Sequence, residues 1–130
     1  MQDFRRLLVW QKARALLLLT NDVFTSRRCR SVPWLRSQVL HATASTPANI
    51  AEGCGKQTWK ELLRFINIAF GSAQELENHL VVARDLGVIS TTEFARLAAL
   101  VVEVKRMLMG FAKAIRAQSP KPTTGASRRG

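Results

Sequence analysis

The side chains able to do acid–base, nucleophilic or metal chemistry are few and poorly spaced for it. The chain has two histidines, His41 and His79, and two cysteines, Cys29 and Cys54. A catalytic nucleophile needs a base within hydrogen-bond reach, yet both histidines fall in the middle of helical patterns. Read structurally, each is a polar residue at a helix flank. A structural zinc site needs four ligands, and the sequence has no CxxC or Cys/His cluster. Two cysteines also make no disulfide framework of the secreted kind. A di-iron site in a helical bundle uses two Glu-x-x-His pairs plus two further glutamates. Here Glu75 and His79 stand four apart and no second pair exists. The stretch Gly53-Cys54-Gly55-Lys56-Gln57-Thr58 resembles a phosphate loop, but it lacks the GxxxxGK[ST] order and follows a helix. The expectation is therefore no enzyme, no catalytic residue, no metal and no cofactor.

Two polar stripes remain. Gln38, Ser45, Asn49 and Glu52 are spaced 7, 4 and 3 along one helix side, and Ser72, Glu75 and His79 are spaced 3 and 4 along another. A polar network of Gln38, Asn49, Glu52, Ser72, Glu75 and His79 would let buried groups on two helices satisfy each other. Its functional reading is a ligand pocket. The structural reading, which we favour, is a register-fixing network or a solvated face.

The charge points to binding instead. Lys and Arg outnumber Asp and Glu by 20 to 9, a net charge of +11, which suits a polyanionic partner such as nucleic acid or an anionic membrane surface. The bland alternative is a solvated basic surface that only aids solubility. The excess is uneven. No acid lies between Asp22 and Glu52, where Arg27, Arg28, Arg30 and Arg36 fall; Lys56, Lys60 and Arg64 follow. Lys105, Arg106, Lys113 and Arg116 add charge further on. Trp34 and Trp59, at helix starts beside the two clusters, are candidates for base stacking or for packing over helix ends.

The elements that must position these groups read as helices. A chain of 130 residues is the size of one domain, and 47% hydrophobic residues is too many for a disordered chain. Seven Gly and four Pro exclude collagen-like and low-complexity classes. Phe94, Leu97, Val101, Val104, Leu108, Phe111 and Ile115 alternate by 3 and 4, a helical seam. Ser90 and Glu93 form a capping box before it. Leu62, Ile66, Ala69, Ala73, Leu76, Leu80 and Ala83 make a second seam, with Thr58 and Glu61 as its capping box and Gly87 as its stop. A first helix is expected from about Leu7 to Ser26, with Val9, Ala13, Leu16, Thr20 and Val23 as its stripe. The basic segment from Arg27 to Pro33 reads as a linker, and the next helix begins near Trp34. Pro47 either kinks that helix or ends it, with a restart capped by Thr46; a kinked, continuous element ending at Gly53-Cys54-Gly55 is the favoured form. Four helices with short loops predict an all-α, antiparallel up-down-up-down bundle over residues 1–117. Residues 118–130, with two prolines and two arginines, read as a basic, disordered tail.

Two further expectations concern surroundings. The candidate N-terminal apolar region is broken by Lys12 and Arg14, so no signal peptide is read, and no stretch is long and apolar enough to span a membrane. A cytoplasmic protein is expected. The apolar runs Leu16 to Leu19 and Leu97 to Val102 point all round their helices, more than one bundle can bury, which predicts a homo-oligomer.

Several blocks resemble the 23S rRNA intervening-sequence protein family. They are Phe4-Arg-Arg-Leu-Leu-Val-Trp-Gln-Lys-Ala13, Thr46-Pro-Ala-Asn-Ile-Ala-Glu-Gly53 and Glu61-Leu-Leu-Arg-Phe-Ile-Asn-Ile-Ala-Phe-Gly-Ser72, followed by Glu75-Leu-Glu77 and Ala83-Arg-Asp-Leu-Gly87. The resemblance covers about residues 4 to 116. It implies a cytosolic antiparallel bundle bent at the proline, a ring-like homo-oligomer (a pentamer) and no enzymatic activity. A wider likeness, to accessory variability proteins of diversity-generating retroelements, implies partners by analogy: nucleic acid and a reverse transcriptase. The arginine-rich linker around Cys29 and the tail after Ala117 depart from the family pattern.

The leading expectation is a non-enzymatic oligomeric bundle that binds RNA or DNA through Arg27, Arg28, Arg30, Arg36, Lys56, Lys60 and Arg64. The alternative is a structural or adaptor oligomer that recruits a protein partner and has no direct nucleic-acid role.

Overall fold

Hydrophobic periodicity becomes helix wherever it was read. The structure, a computed structural model, describes residues 3–118. A 3-10 turn, Phe4–Arg6, precedes five helices: α1 Leu8–Val23, α2 Arg27–Arg30, α3 Pro33–Cys54, α4 Trp59–Asp85 and α5 Thr91–Gln118. The four long helices make a four-helix bundle. α3 packs on α4, α4 on α5, and α1 on both α3 and α5, so α1 and α4 share one diagonal and α3 and α5 the other. Gln118 is still helical; the rest of the expected tail lies outside the described residues.

The core is the set of seams. In α1, Val9, Ala13, Leu16, Thr20 and Val23 are all buried, and in α4 so are Leu62, Ile66, Ala69, Ala73, Leu76, Leu80 and Ala83. α5 departs in two places. Phe94 and Phe111 are only half-buried, and Ala112 takes the core position beside Phe111. A ring at the seam's edge can still cover the core; Phe94 does so beneath the Arg84 guanidinium, 4.4 Å from its centroid.

Local chemistry fixes the helix ends. The Ser90–Glu93 capping box is complete: Glu93 N–H donates to Ser90 Oγ at 3.0 Å and Ser90 N–H to the Glu93 carboxylate at 2.8 Å. At α4 only half the expected box forms. Glu61 N–H donates to Thr58 Oγ1, but the Glu61 carboxylate turns to Arg64 at 3.3 Å. Gly87 ends the α4 turn with φ +73°, a left-handed conformation that a side chain would strain. It lets Val88 N–H reach back to the Ala83 carbonyl.

The linker expected over 27–33 is not plain coil. Arg27–Arg30 close one helical turn, α2, because Ser26 Oγ caps Cys29 N–H and the Cys29 side chain is buried. Helix one is correspondingly shorter than expected, ending at Val23.

α3 runs unbroken through Pro47, which is buried. Pro47 has no N–H to give the Thr43 carbonyl. Nearby side chains serve other carbonyls: Thr46 Oγ1 donates to Ala42 O at 3.1 Å and Asn49 Nδ2 to Ser45 O at 2.8 Å. Pro47→Ala is expected to lower stability by about 1 kcal/mol. Two buried ring carbons are lost, at ~0.8 kcal/mol each, along with some backbone stiffness, against one regained hydrogen bond. Urea melts check this; an unchanged midpoint would refute it.

Candidate nucleic-acid interface

The two basic clusters sit at the two ends of α3, whose 22 residues make it ~33 Å long. At its N-terminal end, α2 is pinned to the bundle from below. Cys29 is 1% exposed, and its thiol donates to the carbonyl of Val88, 3.4 Å away in the α4–α5 connection. The Arg36 Nε–H donates to the Phe24 carbonyl at 2.8 Å, closing the end of α1. Arg36 is thus half-buried and tied into the fold, whereas Arg27, Arg28 and Arg30 stand exposed on the turn above. Arg28 reaches Glu93 at 3.4 Å, and Arg27 and Arg30 have no acidic partner among the described residues. Trp34, in the first turn of α3, is 60% exposed.

The other cluster is more internally satisfied. Lys56 and Arg64 both lie over the Phe65 ring, at 5.1 and 4.5 Å. Arg64 also pairs with Glu61 at 3.3 Å, and Lys56 comes to 4.0 Å from Glu52. Lys60 is exposed and has no acidic partner among the described residues. Trp59 is half-buried against the core.

Of the polar stripes, the structure joins Asn49, Ser45 and Ser72. Asn49 Nδ2 donates to Ser45 Oγ at 2.9 Å, and the Ser45 and Ser72 hydroxyls meet across α3 and α4 at 2.8 Å. Glu75 and His79 pair with one another on α4 at 3.2 Å, apart from that chain. Glu52 faces Lys56, and Gln38 is exposed. Among the described residues no three His, Cys, Asp or Glu side chains stand together as metal ligands.

One feature was not legible beforehand. A cleft of about 590 Å³ opens between the start of α4 and the end of α5, lined by Trp59, Lys60, Leu63, Ile115 and Arg116. A second hollow of about 280 Å³, which shares Arg116, continues it past Phe70, Leu108 and Met109. Only the pairing of two helices creates it, although exposed Met109 is a trace of it in α5.

The family model for "23S rRNA-intervening sequence protein" matches residues 5–110. The chain belongs to that family. Among solved structures, the chain resembles a Bacteroides thetaiotaomicron protein of unknown function from the S23 ribosomal protein family, with a TM-score of 0.75 and 19% identity. The likeness covers 82% of this chain and 99% of that one, and at this identity it speaks for the family's fold alone. No curated protein matches the chain. Among the described residues, no helix is long and apolar enough to cross a membrane.

Within this family fold the two cysteines are structural. Both are buried, and burial raises the Cys54 thiol above its ordinary pKa. The thiolate is the reactive form, so alkylation of the native protein should run at least about tenfold slower than in denaturant. A raised folded pKa leaves the Cys54 contribution whole below the unfolded value near 9.0 and removes it as pH rises through the folded value. Thiol-labelling rates and urea melts between pH 7 and ~10 test both statements.

Proposed function

We propose that this protein is a non-enzymatic, cytoplasmic, oligomeric bundle that binds nucleic acid through the exposed arginines of α2. The observation that carries this reading is the pinned turn itself. Cys29 is buried beneath it while Arg27, Arg28 and Arg30 project, and no acid occurs between Asp22 and Glu52. The fixed backbone of the turn needs no ordering on meeting phosphates, and a basic surface gains from counterion release. Lys60 extends the reading to the second cluster.

In this proposal the bundle is antiparallel, up-down-up-down. Support comes from pairs that recede together from the short 86–90 connection: Arg84 over Phe94, then Glu77 with Lys105 at 2.7 Å. α3 bends at Pro47, in keeping with the missing N–H and the Thr46 back-bond. Copies join in a ring-like homo-oligomer, a pentamer by the family resemblance. Exposed Leu8, Leu18 and Val102 support self-association.

The α4–α5 cleft favours a second reading. Its apolar floor would suit a helix of a protein partner, with a reverse transcriptase one such partner by analogy.

Anisotropy titrations with labelled RNA and DNA oligonucleotides test the first reading. If about five basic residues per subunit meet phosphates, the log–log salt slope is expected near −3.5 for single strands and −4.5 for duplex. Light scattering on the same sample should give several times 14.5 kDa. No binding at ~50 mM salt would overturn the nucleic-acid reading and leave the adaptor reading standing. A monomer mass would overturn the ring.

A further inference from the structure

The α2 end holds a large aromatic side chain that the fold does not use. Trp10 and Trp59 pack against the core, but Trp34 is 60% exposed. An indole left in water gives up most of the burial that makes tryptophan valuable to a core. Its position is nevertheless well fixed. Pro33 sets the backbone just before it, Leu35 just after it is 1% exposed, and Arg36 is bonded to the Phe24 carbonyl. The ring therefore rises from a rigid first turn of α3.

Four residues before it stands Arg30, with Arg27 one helical turn further back. Both arginines lack acidic partners among the described residues. The site thus combines guanidinium groups that lack acidic partners with one exposed aromatic ring on a fixed backbone. Phosphates alone would need only the arginines. The ring adds something just where a base is free to meet it, because a base in a duplex is already stacked on its neighbours and offers no open face.

We propose that the α2 end takes an unpaired nucleic-acid segment, with Arg27 and Arg30 on the backbone and Trp34 stacked on a base. This rests on the nucleic-acid reading above and narrows it from any polyanion to a strand with exposed bases. Arg28 has a modulating place in it. Its pairing with Glu93, which also caps Ser90, gives the site an internal competitor for one phosphate.

The test uses the full chain with labelled oligo-dT, oligo-U and a duplex of the same length. Trp34→Ala should weaken single-strand binding roughly tenfold or more, the usual scale for losing one base–aromatic stack, and leave duplex binding unchanged. Trp34→Phe should restore much of the loss, because it keeps a stacking face. Trp34 is exposed, so circular dichroism and mass should stay at wild-type values. The oligo-dT and oligo-U arms separate DNA from RNA as the source of the strand. Equal single-strand affinity for wild type and Trp34→Ala would overturn the inference while leaving the nucleic-acid reading intact. So would an equal loss on duplex and single strand. Failure of the wild type to bind any of the three would overturn the reading beneath it as well, and would make Trp34 a candidate anchor for a protein partner.

Discussion

Changing Arg27, Arg28 and Arg30 together to Glu is expected to weaken nucleic-acid binding about a hundredfold near 0.1 M salt, if each arginine neutralises one phosphate. The salt slope should flatten by about two for single strands. The fold should survive. The three side chains are exposed, and the turn is held by Cys29 and Ser26, which the change leaves in place. Arg28 loses its contact with Glu93 and a like charge replaces it, but exposed pairs of either kind shift stability by only ~0–1 kcal/mol. Lys56, Lys60 and Arg64 changed to Glu form the comparison. Two of these cations already lie over Phe65 and beside Glu52 and Glu61, so less free charge is lost there. A smaller effect, of about tenfold or less, is expected. Gel-shift or anisotropy titrations across salt distinguish the two. Binding untouched by the α2 change would move the site to α5 or to the residues beyond it.

Gly53→Ala is expected to cost about 1–3 kcal/mol of stability, the usual range for forcing extra carbon into a packed core. A Cβ at Gly53 would lie 2.9 Å from the Phe65 Cβ and 3.1 Å from Leu62 Cδ1. The Leu62 methyl can move aside. The Phe65 Cβ cannot, because it is bonded directly to the α4 backbone. The two helices would have to part where α3 ends and the chain turns into α4. Gly71 and Gly110 supply the opposite sign. A Cβ at either meets nothing within 4 Å, and both lie inside helices. Alanine at each should therefore stabilise by roughly 0.5–1 kcal/mol, the helix-propensity difference. Urea melts of the three variants read this directly. A Gly53→Ala midpoint equal to that of wild type would show that α3 and α4 can spread at no cost.

Both predictions join a feature visible in the chain to one that was not. The seam of α4 was legible in full, because a residue facing a core at every third or fourth position leaves a periodic trace. In α5 the same rule chose Phe111 over Ala112 for the core. Periodicity locates a stripe to within one residue, but room decides its edge, and a phenyl ring fits the rim of a bundle better than its middle. The caps at Thr58 and Ser90 were legible from residue types three apart. That Glu61 would turn to Arg64 was not, because its competing partner lies on the outward face.

The arginine cluster shows the same division. Its charge and its freedom from acids are properties of composition, so the sequence alone determined that this segment would be basic. It also determined the four long helices, the seams of α1 and α4 and the stop at Gly87, since each depends on neighbours within about one turn. Tertiary structure decided which of the arginines remain free. Arg36 was drawn into the end of α1 by a carbonyl 12 residues earlier, and Arg28 was shared with Glu93, 65 residues later. It also decided that Cys29 would be the anchor of α2, through a carbonyl in a loop 59 residues away. The cleft between α4 and α5 and the close approach at Gly53 belong to the same class. Each depends on the distance between helix surfaces, which no local rule of spacing contains and which only the packing of the whole bundle sets.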